Sequence, residues 1–181
     1  MPRHPVQLYG KLQLSERQHT VFNAAVFQLS WLACVLGGSL IAIAVGTAVV
    51  ALHLKLVPDK KREFLFLAQC AAIGFVVDLA LIQTGVMDAN GNLPPAWLTV
   101  LWVLFGTTVG YALRFFHGRL PLCVAAGAVF APISYFGGAR LADVTLFEPV
   151  LAALVAIGLV WALIFPLLIH LYTVNKIKWV H

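Results

Sequence analysis

Long apolar stretches, separated by short charged or turn-forming breaks, set the plan of this chain. Four of them, residues 64–85, 95–116, 120–138 and 147–172, are each close to the roughly 20 residues that an α-helix needs to cross a bilayer core of about 30 Å. The stretch 21–54 is longer and holds no Asp, Glu, Lys or Arg. As one helix rising about 1.5 Å per residue it would run about 51 Å, too far for a single crossing. Gly37 and Gly38 sit at its centre, and paired glycines form turns. The pattern predicts a tight hairpin of two short spans, 21–36 and 39–54. The whole chain then reads as an all-α polytopic transmembrane bundle of six spans over 21–172, flanked by cytoplasmic segments 1–20 and 173–181.

The breaks fit that reading. Pro58 and the charged run Asp59–Glu63 end the second span, and Asp88-Ala89-Asn90-Gly91-Asn92 forms a turn before Pro94-Pro95 opens a helix. Pro132 and Pro166 fall inside spans and should kink or loosen them. Trp97 and Trp179 lie near span ends and suit interface anchors. The first apolar run follows a polar start with Arg3, Lys11 and Arg17 and lacks a small-residue cleavage site. It reads as a retained span rather than a secretory leader.

Composition sharpens the class. Hydrophobic residues make up 61% and charged residues 10% of 181, against about 25% charged in a soluble domain. The net charge of +5 would raise nucleic acid as a partner in a soluble protein. Here the basic residues cluster between apolar runs, which is the orientation signal of a membrane protein. With both termini inside, eleven of the twelve Lys and Arg residues face the cytoplasm and Arg140 alone lies outside. Five spans would move Arg3, Lys11 and Arg17 to the wrong side. Cys34, Cys70 and Cys123 are dispersed and read as small packing residues.

The string Phe27-Gln28-Leu29-Ser30-Trp31-Leu32-Ala33-Cys34-Val35-Leu36-Gly37, together with Asp78, Pro94-Pro95-Ala96-Trp97-Leu98, Pro132-Ile133-Ser134-Tyr135 and Gly138-Ala139-Arg140-Leu141, resembles the bacterial inner-membrane family catalogued as domain of unknown function 2878. The resemblance covers nearly everything after about residue 20. Ser30 stands where the family is associated with glycine. The family carries no assigned activity. Its genes often neighbour lipid-modifying enzymes such as cyclopropane fatty-acyl synthases, so the resemblance implies a multi-pass inner-membrane protein with a lipid-related role by association.

Among residues that carry chemistry, Asp78 is the sharpest signal. It is the one acidic residue in the interior of a predicted span, Glu148 standing at the very start of the last, and a carboxylate at that depth costs several kcal/mol unless paired, hydrogen-bonded or neutralised. Ala71, Gly74, Asp78 and Gly85 share roughly one helical face, which points Asp78 into the bundle. It reads either as a packing carboxylate or as a functional one. Arg140 is its expected partner; binding of a lipid phosphate or an ordinary loop position are the alternatives. Gln28 and Trp31, one turn apart, either cement helix contacts or line a pocket that Ser134 and Tyr135 would join. Gly106 and Gly110 form a GxxxG face for packing within the bundle, for a homo-oligomer or for a membrane-protein partner. Arg114 and Arg119 flank His117 and suit either anionic headgroups or plain orientation signalling.

The six histidines form no metal-binding spacing, and no nucleophile–base set, Walker loop or dinucleotide fingerprint is present. No cofactor is implied, and an intramembrane enzyme is the least favoured class. The leading expectation is a protein that binds or moves a lipid or small hydrophobic molecule through an outer-half site of Gln28, Trp31, Asp78, Tyr135 and Arg140, with membrane lipids as partners. The alternatives are an accessory or assembly subunit of a lipid-modifying membrane enzyme and a small ion-coupled transporter.

Overall fold

The computed structural model describes residues 15–178. Arg3, Lys11, Trp179, His4 and His181 lie outside the described residues, as do the side chains of Lys176 and Lys178. The described residues form five α-helices: α1 (Glu16–Leu56), α2 (Lys60–Gln83), α3 (Ala96–Val109), α4 (Leu120–Leu141) and α5 (Val150–Lys178). A 3₁₀ turn, Arg114–Phe116, follows α3, and two-residue strands β1 (Met87–Asp88) and β2 (Thr145–Leu146) pair antiparallel. By length and composition α1, α2, α4 and α5 can each cross a membrane, while α3 is a shorter apolar helix. Much of their apolar surface faces outward, with Leu40 83% and Leu163 74% exposed. Lipid, not water, is the solvent that such a surface suits.

Polar residues start the first two helices. Ser15 accepts the Gln18 backbone N–H while the Gln18 side chain accepts the Ser15 N–H, a reciprocal cap. Asp59 accepts the Arg62 N–H at the start of α2. The helical path of α1 is broken at Gly38, whose φ of 66° and ψ of −167° suit glycine and few other residues. The chain reverses there. Asn23 lies 15 residues before that glycine and His53 15 residues after it. A straight helix would separate them by about 45 Å. Instead Asn23 bonds to Thr107 and Ala112, and the His53 ring lies 5.3 Å from that of Tyr111. Both limbs of α1 therefore lie along α3, through Phe27 against Phe105 on one limb and Gly46 against Val100 on the other.

Helix α3 is the buried centre, with Leu98, Trp102, Leu104, Gly106 and Thr107 all buried. Its helix ends earlier than the expected span 95–116, because Gly110 and the turns after it unwind the chain. Backbone groups freed at membrane depth must find partners within the protein. Asn23 donates through Nδ2 to the Thr107 carbonyl and accepts the Ala112 N–H on Oδ1, each at 3.2 Å. His117 Nε2 lies 2.8 Å from the Val109 carbonyl. The GxxxG glycines face inward. A methyl on Gly106 would meet Leu67 and Cys70 of α2, and one on Gly110 would strike the Tyr172 hydroxyl of α5. That face is packed against the chain's own α2 and α5.

Helices α4 and α5 pack as a pair through Gly127, where an added methyl would strike the Trp161 carbonyl, and Gly158, where it would lie 2.8 Å from the Ala128 carbonyl. Both run unbroken past Pro132 and Pro166. Helix α5 continues to Lys178, beyond the expected span end at Tyr172, and α2 stops at Gln83, leaving Gly85 exposed in a turn and off the face of Asp78. The molecule thus has two ends. One carries the β1–β2 pair; the other carries Arg17, Lys55, Lys60, Arg62, Arg114 and Arg119.

Candidate functional site

Asp78 on α2 has no exposed surface. Its Oδ2 accepts the indole N–H of Trp102 on α3 at 2.7 Å, and its Oδ1 accepts the hydroxyl of Tyr135 on α4 at 2.6 Å. Gly74, one turn before Asp78, makes room for the Trp102 ring: a methyl there would overlap it. Two strong donors to one carboxylate, from two other helices, make this a three-helix junction held by charge-assisted or neutral hydrogen bonds. Trp102 stacks on Trp161 of α5 with centroids 4.6 Å apart and planes 18° apart, and Tyr135 and Phe105 meet Trp161 edge-on at 6.4 and 5.5 Å.

Beside this junction lie two adjoining cavities, about 80 and 360 Å³ in volume, that share Phe27, Phe105, Ser134, Tyr135 and Trp161. The smaller reaches Met87, Trp97 and Val144 at the strand end, and the larger reaches Leu113 and Phe116 toward the basic end. The first limb of α1 forms one wall through Phe27, Gln28 and Trp31, and α4 forms the opposite wall. Gln28, Phe130 and Ser134 on the rim of the larger cavity are exposed, so the cleft opens sideways through the lateral apolar surface. Inside, the buried Trp161 Nε1 has the Tyr135 oxygen as a neighbouring acceptor, at a looser geometry than a full hydrogen bond.

The model of the family described as "Protein of unknown function (DUF2878)" matches residues 20–167. The chain belongs to this family. No curated protein and no solved structure matches it. Family membership fixes no chemistry, so function has to be argued from the site.

Of the five residues expected to form one site, the structure brings four to the cleft or its junction. Gln28 and Trp31 line the walls, Tyr135 lines both cavities, and Asp78 stands behind Tyr135 as its hydrogen-bond acceptor. Arg140 does not join them. It is exposed near the end of α4, with its guanidinium carbon 5.0 Å from the centroid of Phe136. The expected Asp78–Arg140 pair is absent among the described residues, because Trp102 and Tyr135 already occupy the carboxylate. Trp102 and Trp161 were missed. Their indole N–H groups carry no signal in a sequence where aromatic residues are abundant.

A second buried acid also escaped the sequence reading, which took Glu63 as part of a charged break. Glu63 is 3% exposed. Its Oε1 accepts the Tyr172 hydroxyl at 2.7 Å and that of Tyr111 at 3.4 Å, and its Oε2 lies 3.4 Å from His53 Nε2. The spacing of Glu63, Phe66, Leu67, Cys70, Gly74 and Asp78, all buried, follows the helical repeat and could have revealed the shared face.

Proposed function

We propose that this chain is a multi-pass protein of the bacterial inner membrane that binds a lipid or small hydrophobic molecule in the cleft between α1, α3, α4 and α5. The observation that carries this reading is the aromatic-lined cavity opening laterally between Gln28, Phe130 and Ser134. A ligand dissolved in the membrane enters such a mouth without crossing water. Small-molecule sites are mostly apolar with a few placed polar groups. Here the buried Trp161 N–H is turned to the Tyr135 oxygen, and Tyr135, whose hydroxyl donates to Asp78, keeps acceptor capacity on its oxygen for a ligand hydroxyl. Asp78 acts as a positioning residue that holds Tyr135 and Trp102.

Six passages with both termini in the cytoplasm are part of the proposal. Supporting them are the reversal at Gly38, the α2, α4 and α5 crossings, and α3 running between the two ends of the bundle. The concentration of Lys and Arg at the end opposite the strands favours a cytoplasmic side for that end.

Gly138 supplies the test. It is buried, lines the smaller cavity, and has nothing within 4 Å of where a Cβ would stand. The Cβ introduced by Gly138→Leu meets no neighbour, and the rest of the side chain competes with a ligand for the cavity. Native mass spectrometry of gently extracted protein should show a discrete lipid or hydrophobic adduct on the wild type and its loss from Gly138→Leu, with melting temperature retained. Folded wild type that carries no adduct, or an adduct indifferent to Gly138→Leu, defeats the reading.

A further inference from the structure

The basic end holds a separate cavity of about 250 Å³, between the start of α2, the unwound chain after α3 and the last turns of α5. Arg62, Arg114, His117 and Tyr172 are among its walls. The Arg62 guanidinium carbon lies 4.6 Å from the centroid of the Tyr172 ring. Ring contact of this kind occupies the face of a guanidinium and leaves its N–H edge for hydrogen bonds. Two of those edge atoms, Nε and Nη2, are buried with no hydrogen-bond partner among the described residues. The guanidinium already donates a hydrogen bond to the Tyr172 hydroxyl; buried donors left unmade are costly, so Nε and Nη2 are the part of it left for an acceptor.

The two acids at the cavity are already engaged. Asp59 Oδ1 caps α2 by accepting the Arg62 backbone N–H at 3.0 Å. Glu63 takes the hydroxyls of Tyr172 and Tyr111 and lies against His53. Glu63 thereby fixes Tyr172, and Tyr172 fixes the plane of Arg62. A guanidinium held in one plane, with a second arginine across the same cavity, is the arrangement that recognises a tetrahedral oxyanion by paired N–H bonds.

We infer that this cavity is a binding site for a phosphate group at the cytoplasmic end, held by Arg62 and Arg114. The shared chemistry is a phosphate ester or free phosphate, with a phospholipid headgroup of the inner leaflet and a soluble phosphate as its two sources. The site is distinct from the apolar cleft and needs no ligand there.

Full-length protein, exchanged into alkyl-maltoside micelles free of phospholipid, is titrated with inorganic phosphate and, separately, with phosphatidylglycerol at low mole fraction. Bound species are counted by native mass spectrometry, and thermal unfolding is followed in parallel. Saturable binding of one equivalent is expected, at least tenfold weaker in Arg62→Gln and partly restored in Arg62→Lys. Arg119→Gln, an exposed basic position at the same end that does not line the cavity, should bind as wild type. Binding of inorganic phosphate identifies a soluble source; binding of phosphatidylglycerol alone identifies the headgroup. Should Arg62→Gln fail to fold, Arg114→Gln carries the same expectation. Binding of neither probe overturns the inference, as does an equal loss in the Arg62 and Arg119 variants, which would indicate diffuse surface charge. Retention of the cleft adduct in Arg62→Gln separates this result from the fate of the apolar site.

Discussion

At the scale of single residues, the buried carboxylate of Asp78 is the best-defined feature of the chain. Sequence reasoning located it, since one acid in a long apolar run stands out on cost alone. It chose the wrong partner because it sought an opposite charge, whereas two neutral donors, the Trp102 indole and the Tyr135 hydroxyl, satisfy the group. The difference is measurable. A double-mutant cycle of Asp78→Asn with Tyr135→Phe should give a coupling of about 0.5–3 kcal/mol in thermal or denaturant unfolding. The cycle of Asp78→Asn with Arg140→Gln should give none beyond error. The reverse ranking would mean that the carboxylate leans on Arg140 after all. Glu63 was less legible. Its neighbours Lys60, Lys61 and Arg62 gave the segment the look of a solvated break, and only the folded chain brings His53, Tyr111 and Tyr172 around it.

At the scale of elements, apolar length marks where the helices lie, although the two spans expected over 21–54 form one helix, α1, broken at Gly38. The starts of α3 and α4 fall within a residue of the pattern, whereas α1 and α2 begin at Glu16 and Lys60, ahead of the expected 21 and 64, because Ser15 and Asp59 cap polar first turns that hydrophobicity does not mark. The end of α3 was misread because apolar residues continue past it to Phe116. The turns that begin at Gly110 are tolerated because distant side chains, Asn23 above all, satisfy the backbone groups they free. No local pattern announces a partner 89 positions away. The α4–α5 pair makes a firmer prediction. Gly127 faces the backbone of Trp161, and a side chain there has no flexible neighbour to push aside. Gly127→Leu should lower stability by about 1–3 kcal/mol or more and reduce folded yield in size-exclusion chromatography. An equivalent change at Gly91, which has nothing within 4 Å, should leave the elution profile unchanged.

At the scale of the whole molecule, the two proposed sites lie at different levels of one bundle, the cleft opening to the side and the phosphate cavity at the basic end. The proposed six-passage topology would put Ser39 and Asn90 on one side of the membrane and Arg119 on the other. Single cysteines at these positions, in a background lacking Cys34, Cys70 and Cys123, should react with a membrane-impermeant maleimide from outside at Ser39 and Asn90, and only after lysis at Arg119. Protection of Ser39 until lysis would contradict the passage count. The reversal at Gly38 also has a mechanical consequence. A hairpin joined by a loop absorbs an extra residue in slack, but the two limbs of α1 meet at a single glycine and have none. One residue added there turns the following limb by about 100° about its axis, carrying His53 away from Glu63 and Gly46 away from Val100. Alanine inserted after Gly38 should therefore abolish folded yield, while the same insertion between Gly91 and Asn92 is tolerated. The joint behaves as a keyed coupling rather than a hinge, and the phase of one limb is set by the length of the other.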